Sequence, residues 1–267
     1  MGVITLTPLD LTIAAFLVVV LAATTARMRL GVTRPLLIAA VRTTVQLLLI
    51  GLVLRALFSH AKLLWVLAMA LVMLLAAAHE VFARQERRLT GWWGFGTGAT
   101  SMFVSAFSVT VLALLVIVGP DPWYAPRYAI PLLGMVLGNT MSSIALTLDR
   151  LLQSAWQQRA VIEQRLMLGE TRDVAIGDIR RASMRTGLTP IINAMAAAGV
   201  VSLPGMMTGQ ILAGSPPMEA VKYQILIMFL IAGGTGFGAV GAVWLATRRL
   251  FDQRHRLRLD RLQGRAG

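Results

Sequence analysis

The chain has no cysteine anywhere in its 267 residues. Disulfides, thiolate metal centres and cysteine nucleophiles are therefore excluded, although the absence identifies no compartment. Charge is also scarce: 14% of residues are charged and 57% are hydrophobic, with a mean hydropathy of +0.72. A soluble domain carries roughly a quarter charged residues. This chain has too few to cover a water-facing surface, and its whole length, 1–267, reads as one domain whose solvent is mainly lipid. Lysine is nearly missing, with only Lys62 and Lys222; every other basic residue is arginine. No GxxxxGK[ST] loop, no GxGxxG opening a helix, no His-Glu-x-x-His and no Ser/His/Asp arrangement occurs. The histidines His60, His79 and His255 lie far apart, and no dense Asp/Glu/His cluster marks a metal site. The residues point to no catalytic site and to no cofactor bound by this chain.

Long apolar stretches dominate instead. A lipid-spanning helix needs roughly 20 mostly apolar residues, and seven such stretches occur, at about 8–26, 37–58, 63–83, 97–118, 128–148, 188–213 and 223–247. No basic residue precedes the first one, while Arg27 and Arg29 follow it. That order is the reverse of a secretory signal and suits a first helix inserted with its N-terminus outside.

The net charge of +13 is distributed unevenly. Twenty arginines fall in four segments: the 27–36 and 84–96 connections, the 149–187 segment, and the C-terminal stretch 248–267. The alternate connections hold little more than Lys62, Arg127 and Lys222. Because positive charge marks the cytoplasmic side, the expectation is an all-α polytopic membrane protein of about seven spans, N-out and C-in. It would have a basic cytoplasmic tail and partners that begin with the lipid bilayer rather than nucleic acid.

The one long connection, 149–187, is too polar to span. Leu152, Ala155, Trp156, Arg159, Ile162 and Leu166 recur at three- and four-residue steps, predicting a helix; Gly169 breaks it, and a second short helix is expected at 170–186. This cytoplasmic hairpin reads either as an amphipathic surface element or as a docking lever. Glu163 is followed by Gly169 and Ile179 at a spacing similar to the loop E-A-A-x3-G-x9-I-x-L-P that importer-type ABC permeases present to their ATPase. Gln164 and Arg165 replace its alanines, and Arg181 and Ala182 replace its Leu-Pro.

Polar groups inside the spans are few. Arg42 and Gln46 share one face of the second helix; the arginine is either functional or snorkels to the nearby helix end. Glu80, beside His79, is spaced for an i,i+4 salt bridge with Arg84. Asn139 and Ser142 sit on a small-residue surface in "GMVLGNTMSSIAL", suited to close packing or to a substrate path. Pro204-Gly205 should kink or interrupt the sixth span, as in transport proteins with broken helices. Met206 and Met207 follow it, as soft thioethers or as packing.

The runs "RTTVQLLLIGLVL" (42–54), "IPLLGMVLGNTM" (130–141), "EQRLMLGETRDVA" (163–175) and "VVSLPGMMTGQILAGSPPMEAVKYQI" (200–225) resemble the Fet-type iron-export ABC transporter permeases. That bacterial family is related to plant aluminium-tolerance permeases. The resemblance implies a multi-pass permease subunit of the bacterial inner membrane, working as a homodimer with a separate cytoplasmic ATPase that carries ATP and Mg. Bacterial members are linked to iron export and plant relatives to nucleotide-sugar transport, so the substrate stays open between a metal and another small solute. On this reading Glu163, Arg165, Gly169 and Ile179 couple to the ATPase. Arg42, Gln46, Glu80, Asn139, Ser142, Pro204, Gly205, Met206 and Met207 lie near the pathway or an interface. A non-transporting membrane regulator is the alternative from another class.

Overall fold

A computed structural model describes residues 7–59 and 62–264; His60 lies outside the described residues. The helices are α1 (Pro8–Arg27), α2 (Thr33–Ser59), α3 (Leu63–Arg84), α4 (Trp92–Met102), α5 (Ser108–Leu112), α6 (Pro126–Gln157), α7 (Arg159–Met167), α8 (Arg172–Ala175), α9 (Gly177–Ala197), α10 (Gly205–Leu212) and α11 (Pro217–Leu250). Two π-helical stretches, Phe103–Phe107 and Ala113–Val118, join and extend α4 and α5, so Trp92–Val118 forms one apolar span. Two short strands, β1 (Arg87–Leu89) and β2 (Leu262–Gly264), make an antiparallel ladder that pairs Leu89 with Leu262.

Six helical segments among the described residues are long and apolar enough to cross a bilayer: α1, α2, α3, Trp92–Val118, α6 and α11. The chain is thus an all-α polytopic membrane protein. The stretch expected as the sixth span, 188–213, is two helices. α9 stops at Ala197, Gly199 takes a left-handed φ of 84°, and Pro204 stands extended as the residue before α10. The interruption foreseen at Pro204-Gly205 therefore begins earlier and occupies 198–204. Arg180, Arg181 and Arg185 make the first half of α9, before residue 188, too polar for lipid.

α6 runs past its expected end. Its 32 residues reach about 48 Å at ~1.5 Å per residue, well beyond a hydrocarbon core of ~30 Å. Leu148, Leu151, Leu152 and Ala155 are all buried, so the periodicity read as the start of the 149–187 hairpin belongs to the last turns of α6. α3, α9 and α11 pack around this helix. Small residues set the spacing: a methyl group on Gly238 of α11 would stand 2.7 Å from Thr140 Cγ2 and 2.8 Å from Ser105 Oγ. Gly187 of α9 abuts Thr147 and Ser143 of α6 with no room for a Cβ.

The arginine-rich segments gather at one end. The Glu86 amide donates to Asp149 Oδ1 (2.7 Å), and Gln153 Nε2 donates to Glu86 Oε2 (2.8 Å). The C-terminal segment is an ordered cover over this end. Phe251 is buried, the Arg258 amide donates to the Leu250 carbonyl, the Thr90 amide donates to the Arg261 carbonyl, and β2 pairs with β1. Arg87, Arg248 and Arg249 lie 4.0, 3.8 and 5.0 Å over the rings of Trp156, Trp244 and Trp93. Tryptophan and arginine side by side are the anchors of a membrane–water boundary.

The packing at Gly187 makes a direct prediction. Gly187→Val forces α9 off α6 and should cost ~1–3 kcal/mol, lowering the thermal unfolding midpoint in detergent. Gly236→Ala, where an added Cβ meets nothing within 4 Å, should leave the midpoint unchanged. Equal midpoints for the two variants would contradict the close approach.

Candidate functional site

α2, α3 and α6 enclose a cleft of about 940 Å³. Helical periodicity explains its walls. Arg42 and Gln46 come from one face of α2; Met73, Ala77, Glu80 and Arg84 come from one face of α3; Gly134, Gly138 and Met141 come from α6. The two glycines leave space where larger side chains would close the cleft.

Glu80 is the charge centre of this cleft. Its Oε1 accepts from Arg84 Nε at 3.1 Å, the expected i,i+4 pair, and its Oε2 accepts from Arg42 Nη1 at 3.3 Å. Arg42 therefore reaches across to another helix instead of only snorkelling. The two arginine side chains are about half exposed, at 54% and 49%, against 23% for Glu80. The α1–α2 hairpin is otherwise thinly packed: Ala22 and Thr25 of α1 and Leu57 of α2 are its buried residues among those described. The Arg42–Glu80 bridge thus spans the mouth between a loosely held helix and the main bundle. His79 also lines the cleft. Among the described residues, no group of three or more His, Cys, Asp or Glu could hold a metal ion.

The remaining candidates for the pathway separate from this cleft. Asn139 Nδ2 donates to the Met135 carbonyl (2.8 Å) and Ser142 Oγ to the Gly138 carbonyl (3.1 Å), so both satisfy their own helix. Pro204 precedes α10, Gly205 opens it, and Met207 is buried. Met206 lines a small separate cavity of about 70 Å³ with Tyr128, Met135 and Tyr223.

The hairpin residues form a second constellation. Gly169, with φ of 91°, ends α7 while the Glu170 amide donates to the Arg165 carbonyl at 3.1 Å, a left-handed cap that only glycine adopts freely. Arg165 Nη1 and Arg181 Nη2 both donate to Asp178, at 3.1 and 2.7 Å. Those two guanidinium groups, Arg181 first, hold the Asp178 carboxyl below its usual range. Ile179 is buried with Ile162, Ala175 and Ile176, so it anchors the base of the hairpin and presents no outer surface. Glu163 lines a cavity of about 450 Å³ shared with Arg254, His255 and Arg256 of the C-terminal segment. Sequence reasoning missed Met167 and Leu168, which are 81% and 78% exposed at the tip of α7. Their signal was present: two apolar residues stand immediately before a helix-ending glycine.

Apolar helices around a polar cleft, closed at one end by an arginine-rich cap, define a multi-pass helical membrane protein. Residues 8–251 match the model of the Uncharacterised protein family (UPF0014), and the chain belongs to that family. The UPF0014 membrane protein slr1647 of Synechocystis is 39% identical over 231 residues, 85% of this chain and 87% of that protein. The Escherichia coli protein named "Probable iron export permease protein FetB" is 30% identical over 260 residues, 95% of this chain and 96% of its own. Protein ALUMINUM SENSITIVE 3 of Arabidopsis thaliana is 30% identical over 247 residues, 91% of this chain and 88% of its own. No solved structure matches the chain.

The absence of native cysteine makes the cleft easy to probe. With Gln46→Cys as the reporter, Glu80→Gln should raise the maleimide labelling rate about two- to fivefold, the worth of a half-exposed pair at ~0.5–1 kcal/mol. Arg42→Gln should do the same, and the two changes together should add little to either. An unchanged rate would mean that the bridge does not hold the cleft.

Proposed function

We propose that the chain is the membrane-spanning permease subunit of an ATP-driven ABC transporter that exports iron or another metal. Two copies form the pathway above two cytoplasmic ATPase subunits, which carry ATP and Mg. The observation that carries this reading is the tip of α7. Met167 and Leu168 stand almost fully in solvent beside a glycine-capped turn, and the Arg165–Asp178–Arg181 clasp braces that turn against α9. A soluble surface has little use for two adjacent exposed apolar side chains on a rigid turn, whereas a partner cleft does. The resemblance to Fet-type permeases and the name of the Escherichia coli relative, a probable iron export permease, supply the reaction class.

In this reading the arginine-rich end faces the cytoplasm of the bacterial inner membrane, and α9 with α10 makes the sixth of seven crossings, broken at 198–204. Residues 1–267 act as one permease domain. ATP binding draws the ATPases together, the hairpins move as levers, and the cleft between α2 and the bundle opens to alternate sides, a two-state equilibrium biased by nucleotide. Glu80 is the substrate-facing carboxylate. Arg42 holds it when no cation is present, and an arriving metal ion competes with Arg42 for it, with Met73 and Met141 nearby as soft donors. A second reading has its own support: Arg42 and Arg84 facing a cleft of about 940 Å³ suit a phosphate-bearing solute such as a nucleotide sugar.

Co-purification with a candidate ABC ATPase from the same genome tests the assignment. The unaltered chain should bring the ATPase down and stimulate its hydrolysis. Met167→Glu with Leu168→Glu should cut both at least about tenfold, the loss of roughly 1.4 kcal/mol or more of docking energy, with unchanged helicity. Full assembly and stimulation by that variant, or by a chain lacking 160–182, would overturn the coupling role. Proteoliposomes given Fe(II) or a nucleotide sugar separate the two substrate readings, and no ATP-dependent flux of either would favour a non-transporting regulator.

A further inference from the structure

We propose that the face of α11 around Trp244 is a binding site for an anionic phospholipid. Two cavities meet at this tryptophan. One is an open groove of about 580 Å³ between the Trp92–Val118 span and α11, with apolar walls that include Val104, Leu112 and Phe237. The other, about 450 Å³, lies between α9 and α11 and is lined by Arg180, Arg181 and Arg185. Trp244 belongs to both and is 47% exposed. The groove follows the π-helical stretch Phe103–Phe107, where the helix is locally widened, a distortion common at functional positions.

The charges around Trp244 do not cancel. Arg180 is paired with Asp173 at 2.9 Å, and Arg181 with Asp178 at 2.7 Å. Asp173 also lines the basic cavity but is engaged by Arg180 and, at 3.7 Å, by Arg172. Arg185 and Arg248 have no carboxylate partner among the described residues. Arg248 lies 3.8 Å over the Trp244 ring. Two uncompensated guanidinium groups thus flank an indole at the end of a span, which is the depth of a lipid phosphate. The apolar groove runs from that point toward the middle of the bilayer. This combination takes a phosphodiester and an acyl chain together, which a free anion does not supply. A second copy of this chain fits less well, because a two-fold contact here would bring the same uncompensated arginines of both copies together.

The test uses the full chain in detergent and titrates phosphatidylglycerol or phosphatidylcholine carrying brominated acyl chains. Quenching of Trp244 is isolated by subtracting the Trp244→Phe signal. Phosphatidylglycerol should half-saturate at a concentration about tenfold lower than phosphatidylcholine, as two arginines at a lipid surface imply. Arg185→Gln with Arg248→Gln should bring the two lipids within about twofold. Val104→Phe, which narrows the groove with every arginine intact, should weaken both lipids, and it carries the test should the double variant not fold. Millimolar inorganic phosphate should not displace the lipid. Equal quenching by both lipids, a preference that survives the arginine changes, displacement by phosphate, or disulfide cross-linking of Trp244→Cys between two copies would each overturn the proposal.

Discussion

The structure depends on how closely its helices approach α6. Lipid offers no hydrophobic drive for one apolar helix to leave it for another, so van der Waals contact through small residues holds the bundle together. Gly187 against Thr147 and Ser143, and Gly238 against Thr140 and Ser105, bring α9 and α11 onto the same post. α3 closes a third side. α1 and α2 are absent from this set, and that absence leaves the cleft open on its α2 side. α6 is thus tightly packed on three sides, with a loosely held hairpin beside it.

Charge refines this arrangement. Acidic residues are few, 12 against 25 basic ones, and three of them hold elements together. Glu80 ties α2 to α3 through Arg42, Asp178 braces the hairpin through Arg165 and Arg181, and Asp252 accepts the Arg254 and Arg256 amides to turn the C-terminal segment back on itself. Lacking acidic partners, other arginines stack on tryptophan rings, a pairing typical of membrane–water boundaries.

Six of the seven expected spans were legible because apolar length is a one-dimensional signal. The Glu80–Arg84 pair was legible for the same reason, being local at i,i+4. Arg42 reaching Glu80 was not, because it joins residues 38 positions apart on separate helices. The true end of α6 was misplaced because Leu148, Leu151, Leu152 and Ala155 continue an apolar stripe that reads equally well as an amphipathic surface helix. What distinguishes the two is burial in the core of the bundle, a tertiary fact. The ordered fold of that segment escaped notice because its arginines gave the composition of a solvated tail, while Phe251 and Leu262, which pin it down, are isolated apolar residues without periodicity. Asn139 and Ser142, polar and mid-span, bond through their side chains to carbonyls of their own helix.

In the proposed function, the tip of α7 lies in the cytoplasm and meets an ATPase there. Leu168→Cys, the sole cysteine in the chain, tests it in native membranes with a short bifunctional cross-linker. The expected result is a cross-link to the ATPase subunit whose yield changes when ATP is added, and no labelling of intact spheroplasts by a membrane-impermeant maleimide. Labelling from the outside, with no ATPase cross-link in inverted vesicles, would contradict it.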